Sequence, residues 1–247
     1  MKLICFPYAG AHVNVFTELQ KAMKQLEPAT EVIAMEYAGH GKRFSERPYR
    51  SIHDNVADLL QKLRQSLSKS DEISLLGYSM GSLVTYELAR NLLQEGYNIR
   101  KLIFMAGTPP HRIQTEDEED LDDEALLQKC QIYGLIKEDQ FASAQMRQLF
   151  LPALRSDIES VHLYNKINQY HCHQFDEAID IAVFQGIEDR SVTDVDHWQD
   201  ITQRDIQVYN YPAGHFFMNE NQEEVIADII YFLRRNSIHD ELVRNIR

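Results

Sequence analysis

Residues 72–83 read EISLLGYSMGSL, an apolar run followed by a serine with a glycine two positions away on each side. EISLL predicts a buried strand, and residues 80–94 predict a helix ended by Gly96. Between them Gly77-Tyr78-Ser79-Met80-Gly81 matches G-x-S-x-G. A chance match in a chain of this length is roughly a one-in-ten event, so the setting carries more weight than the pattern. Strand, tight turn and helix are the setting of a nucleophile elbow, which lifts the serine oxygen clear of the sheet edge. Side chains on either flank of such a turn would collide, hence the glycines. The backbone N–H of Met80 would then lie at a helix start, where partial positive charge favours an oxyanion.

Outward from this stretch, short apolar runs alternate with segments of helical period. Strands are predicted at 2–6, 31–35, 101–105, 179–186 and 205–211. Helices are predicted at 13–26, at 51–67 with Ser51 as N-cap and Asp54 three residues on, and at 223–235. The pattern predicts one α/β domain over 1–247, with a mostly parallel sheet of about six strands flanked by helices. Residues 111–172 contain helical segments only, and so long a strandless insertion is better explained as a functional lid than as a passive loop.

Composition narrows the function. Of 247 residues 44% are hydrophobic, enough for a sizeable core, and the formal charge of −13 disfavours nonspecific nucleic-acid binding. No apolar run is long enough to span a bilayer, and the amino terminus does not read as a secretory signal. Cys5, Cys130 and Cys172 are odd in number and widely spaced, against a disulfide framework. A cytoplasmic protein is expected. The densest acidic stretch, at 115–126, reads as a solvated loop and helix start, or functionally as a mobile flap.

An isolated serine needs a histidine base oriented by a carboxylate. In an elbow fold the acid and then the histidine should follow the serine on loops after later strands. Asp189, in GIEDR after the fifth predicted strand, and His215, in PAGHFF after the sixth, meet both demands. Asp194, Asp196 and His197 fall in what reads as the next helix. His162, His171 and His173 belong to the insertion or its exit, and His12 and His40 precede the serine. His171-Cys172-His173 lacks a second ligand cluster, and no dinucleotide or phosphate-cradling motif occurs. No metal or cofactor is expected.

At these residues the sequence resembles the type II thioesterases, stand-alone α/β-hydrolases serving nonribosomal peptide and polyketide synthases. FPYAG at 6–10 is similar to the family's first-strand exit, GYSMGS at 77–82 to its elbow, and FLPALRSDIESVHLY at 150–164 to its lid helix. GIEDRSVTDVDHW at 186–198 is similar to the acid loop, and PAGHFFMNE at 212–220 to the histidine turn. The resemblance implies Ser79 as nucleophile, His215 as base, Asp189 as orienting acid, and an oxyanion hole from the N–H groups of Met80 and Ala9. It also implies hydrolysis of acyl thioesters on the phosphopantetheine arm of carrier proteins, mostly to clear misprimed groups. Vertebrate medium-chain fatty-acyl thioesterases look similar too, and an esterase or lipase-like activity on free esters would use the same triad. A noncatalytic binding protein on this fold is disfavoured because all three triad positions are filled. Ala11 stands where the family usually has a second glycine, and the strand before Asp189 lacks the family's frequent proline.

Two further expectations concern partners. Carrier proteins are typically acidic, as is this chain, so docking would need a basic patch. Lys42, Arg43, Arg47 and Arg50 cluster after the second strand, as that patch or simply as a solvated turn. Leu149, Phe150, Leu154, Ile158 and Val161 form a helical stripe that would either line an acyl channel or pack as ordinary core. A monomer is expected.

Overall fold

A computed structural model describes residues 1–115, 122–136, 141 and 143–235. Six strands, β1 (Lys2–Phe6), β2 (Glu31–Ala34), β3 (Glu72–Tyr78), β4 (Asn98–Met105), β5 (Asp180–Gly186) and β6 (Gln207–Tyr211), form one sheet in the order β2-β1-β3-β4-β5-β6. Every neighbouring pair is parallel. β3 runs two residues beyond the apolar run because Gly77 and Tyr78 still pair with Phe104 and Met105.

The helices are α1 (Thr17–Leu26), α2 (Ile52–Ser66), α3 (Met80–Gln94), α4 (Asp123–Ile132), α5 (Ala144–His162), α6 (Tyr164–Asn168), α7 (Phe217–Glu220) and α8 (Gln222–Arg234). Ser51 caps α2, accepting the Asp54 N–H at 3.0 Å. The helix predicted from residue 13 begins instead as a 3-10 turn, Val13–Phe16.

Parallel strands are buried on both faces, so successive side chains enter two different cores. Ile4, Phe6, Ile73, Leu75, Leu102 and Phe104 point into one, packed by α2 and α3. Leu3, Cys5, Leu76, Tyr78, Ile103 and Met105 point into the other, packed by α1 and α8. A smaller third cluster joins α4 to α5 through Leu126, Cys130, Leu151 and Leu154. Among the described residues, helices α4 to α6 lie in the connection from β4 to β5. Of the acidic stretch 115–126, residues 116–121 lie outside the described residues.

The strand order locates the functional end. From β1 the chain moves to β2 on one side and returns to β3 on the other, so the connections diverge between β1 and β3. Ligands of open parallel sheets bind outside the carboxyl ends of the strands at such a switch point. The loops leaving β1 and β3 carry Ala9 and Ser79.

Candidate active site

Ser79 sits between β3 and α3 at φ 54 and ψ −115, a left-handed conformation that is costly for a residue with a side chain. Its N–H donates to the Met105 carbonyl at 2.7 Å, and its carbonyl accepts the Ser82 N–H at 2.8 Å. The glycines at 77 and 81 have a steric cause. A Cβ on Gly77 would strike the Gly81 carbonyl oxygen, and one on Gly81 the Phe6 carbonyl oxygen, backbone atoms that cannot swing aside. The elbow is therefore set in part within GYSMG, through Gly77, and in part by the neighbouring strand β1, through Gly81.

Asp189 follows β5 and His215 follows β6, and the two meet although 26 positions apart. His215 Nδ1 lies 2.7 Å from Asp189 Oδ2, with both side chains almost fully buried. The carboxylate can only accept, so Nδ1 carries a proton, and in the neutral ring that tautomer leaves the lone pair on Nε2. Ser191, which sequence reasoning did not single out, braces this pair. Its hydroxyl donates to Asp189 Oδ1 at 2.6 Å and lies 3.0 Å from His215 Nδ1, while its N–H donates to the same Oδ1 at 2.9 Å. Burial alone would raise the Asp189 pKa; the hydrogen bond and charge of His215 and the two bonds from Ser191 outweigh it and hold the carboxyl below its usual value. From the other side, the Tyr78 hydroxyl donates to the His215 carbonyl at 2.7 Å.

Ser79, Met80, Ala9 and His215 line one cavity of about 400 Å³. Among the described residues no hydrogen bond joins Ser79 to His215; such contacts are often long before substrate binds. The N–H of Met80 opens α3, where no helical partner exists for it. In the loop after β1 the Gly10 N–H is taken by Asp157 Oδ2 at 2.7 Å and the Ala11 N–H by the Tyr8 carbonyl at 3.1 Å. Ala9 keeps its N–H uncommitted among the described residues. Ala11, in place of a glycine, is buried and closes this turn.

The remaining wall of the cavity is largely apolar. Leu154, Ile158 and Val161 of α5 face it, together with Leu83, Ile113 and Leu126. Leu149 and Phe150 do not share in it and are 53% and 40% exposed, so the predicted stripe divides between lining and surface. A more open groove of about 550 Å³, lined by polar groups such as His53, Glu87 and Arg90, shares no residue with this cavity.

The basic cluster is altered by its neighbours. The Arg43 guanidinium is spent on Glu46, Asp58 and the Glu36 carbonyl, and Arg50 pairs with Glu159 at 2.7 Å. Lys42 and Arg47 are exposed, with no ion pair among the described residues. The other histidines also find local roles. His111 and His197 converge on Asp200 Oδ2 at 3.0 and 2.9 Å, a grouping with metal-ligand potential. The Arg112 guanidinium, 2.8 Å from His197 Nδ1 and 3.7 Å from Asp200, already places a positive charge there. In the 171–173 triplet, the His173 N–H donates to the Tyr86 hydroxyl at 2.6 Å.

Comparison with known proteins gives the family. The chain is 28% identical over 241 residues to the gramicidin S biosynthesis protein GrsT of Aneurinibacillus migulanus, covering 95% of this chain and 89% of that one. It is also 28% identical to the medium-chain S-acyl fatty acid synthase thioesterase of Rattus norvegicus, over 93% and 86% of the two chains. The solved type II thioesterase BorB from the borrelidin biosynthetic cluster superposes with a TM-score of 0.80 at 26% identity, covering 94% of this chain and 92% of that one. With residues 1–233 matching the family over nearly the whole length, the chain belongs to the thioesterase domain family and is a thioester hydrolase of α/β-hydrolase fold.

Proposed function

We propose that this protein hydrolyses acyl thioesters carried on the phosphopantetheine arm of carrier proteins, releasing misprimed or stalled groups from nonribosomal peptide or polyketide synthases. The observation that carries the chemistry is the buried His215–Asp189 pair beside the cavity that Ser79 lines. The likeness to GrsT and BorB, both named for natural-product pathways, supports the biological setting.

His215 Nε2 takes the Ser79 proton as the oxygen attacks the thioester carbonyl. The N–H groups of Met80 and Ala9 receive the oxyanion, and the tetrahedral adduct collapses with departure of the pantetheine thiol, protonated by His215. Water, deprotonated by the same histidine, then attacks the acyl-enzyme; its collapse frees the carboxylic acid and returns the proton to Ser79. Asp189 holds the Nδ1–H tautomer throughout, and the steps require no cofactor. Helices α4 to α6 act as the lid, and the apolar side chains of α5 receive the acyl chain. Lys42 and Arg47 form the part of the basic cluster left for an acidic carrier, with Arg43 and Arg50 holding the loop.

A second reading, release of medium-chain fatty acids, is favoured by the equal identity to the rat enzyme. One experiment separates the readings. Carriers bearing a panel of acyl groups are incubated with the protein and followed by intact mass, beside matched small thioesters and oxygen esters. Highest kcat/KM on short or aberrant acyl-carriers is expected. A preference for medium-chain acyl-carriers transfers the assignment to fatty-acid release, and a preference for the small ester makes the protein an esterase.

A further inference from the structure

A carboxylate outside the triad reaches the same site. Asp157 lies on α5, one turn beyond Leu154, and its side chain is only 2% exposed. Its Oδ2 accepts the Gly10 N–H at 2.7 Å and lies 2.9 Å from His40 Nε2, whose ring is equally buried. His40 Nδ1 faces the Ala38 carbonyl at 3.0 Å. That carbonyl can only accept, so Nδ1 is protonated, and a neutral ring would then turn the Nε2 lone pair against the carboxylate. Only the imidazolium makes both contacts attractive, the one to Asp157 as a close ion pair off the line of a well-formed hydrogen bond. Burial would lower the His40 pKa; the Asp157 charge and contact, the Ala38 carbonyl and the Glu36 charge outweigh it and raise the value overall. The other titratable neighbour is Tyr37, edge-on to the ring at 5.8 Å.

The consequence falls on the turn from Tyr8 to Ala11. It is closed by the Ala11 N–H on the Tyr8 carbonyl, and Gly10, third of its four residues, has φ 73, as a type II turn requires. Types I and II differ by a flip of the central peptide, here Ala9–Gly10. A flip would withdraw the Gly10 N–H from Asp157 and set the Ala9 carbonyl oxygen against a carboxylate. Leu154 fixes the spacing as well, since a Cβ on Gly10 would come within 2.9 Å of its Cδ1. The turn is thus gripped by α5 at two points one helical turn apart.

We propose that Asp157 is a positioning residue for the oxyanion hole: paired with His40, it holds the 8–11 turn, and with it the Ala9 N–H, against α5, so that the hole is complete only when α5 is seated. The role rests on the reading of Ala9 and Met80 as oxyanion donors given above. It couples acyl-chain entry along α5 to stabilisation of the transition state.

The test is steady-state kinetics on a small acyl thioester, with affinity for an alkylboronic acid that adds to Ser79 as a tetrahedral mimic. D157A should lower kcat about tenfold or more with KM within about twofold, and weaken the boronate by a comparable factor. D157N keeps an oxygen acceptor for Gly10 and should recover most of the loss. Wild-type kcat in D157A, a loss confined to KM, or D157N as impaired as D157A overturns the proposal. If D157A does not fold, D157E replaces it, keeping the charge for His40 while displacing the acceptor; the same kcat loss is expected, and wild-type kcat again overturns the role. Wild-type turnover and its loss in S79A are measured in the same assay. Their failure rejects the catalytic reading itself, whereas an active wild type with an unaffected D157A rejects only the coupling.

Discussion

The two ends of the sheet each bury charge and treat it differently. At the amino end Lys101 and Asp180 begin their paired stretch of β4 and β5 with side chains 8% and 7% exposed. The three ammonium protons of Lys101 meet three acceptors: Asp180 at 3.2 Å, the Phe232 carbonyl at 3.1 Å and the Arg235 carbonyl at 2.7 Å. Arg204 completes Asp180 at 2.6 Å. The lysine thereby caps the carboxyl end of α8, where the helix dipole favours a cation. At the carboxyl end the Asp189–His215 pair is as deeply buried, yet His215 Nε2 and the N–H groups of Ala9 and Met80 have no partner among the described residues. A buried charge with every donor satisfied holds a fold together; one that leaves groups uncommitted around a cavity is prepared for a reaction.

Substitutions at the two ends should therefore separate activity from stability. The largest effect belongs to the carboxyl end, where His215→Ala should lower kcat by about 10³-fold or more, and Asp189→Asn by about 10²-fold or more, in a folded protein. Lys101→Met should do the reverse. Removing the ammonium from the buried Asp180 should cost about 3 kcal/mol, lowering Tm by roughly 6–12 °C, with kcat per folded molecule unchanged. A Lys101→Met protein of normal Tm, or a His215→Ala protein of normal rate, would erase the contrast. Ser191→Ala removes one brace from the dyad but leaves the backbone N–H, and should lower kcat by about fivefold.

The smallest effect is a pH dependence. Because the native Asp189 carboxyl is held low, its ionic bonds stabilise the fold above the unfolded value of about 3.9, and that contribution is lost as pH falls through the native value. The urea stability difference between wild type and Asp189→Asn should shrink from about pH 7 to about pH 3. A difference that stays flat would remove the ionic component of the pair.

What the sequence discloses follows from how local the cause is. The elbow is readable because a strand, a G-x-S-x-G turn and a helix follow one another within a short stretch, although Gly81 also answers to Phe6 on β1, and the Asp189–His215 contact because strand ends put both residues in short loops of fixed order. Asp157 looks like any acid on an amphipathic helix until the fold places it 2.7 Å from an amide 147 positions away. Arg43 reads as surface charge until Asp58, on the next helix, turns it inward. Periodicity puts Phe150 on the same helical face as Leu154, but the cavity ends before it does, and the period carries no information on where a wall stops.

The account depends on an activated hydroxyl at position 79, and labelling reads this most directly. The protein is treated with an alkyl fluorophosphonate, digested, and the modified peptide located by mass, with and without an excess of acyl thioester. A single adduct on Ser79, suppressed by the thioester and absent in His215→Ala, is the predicted result. An unlabelled Ser79 in a preparation that still turns over thioesters, or a label that is indifferent to His215, contradicts it.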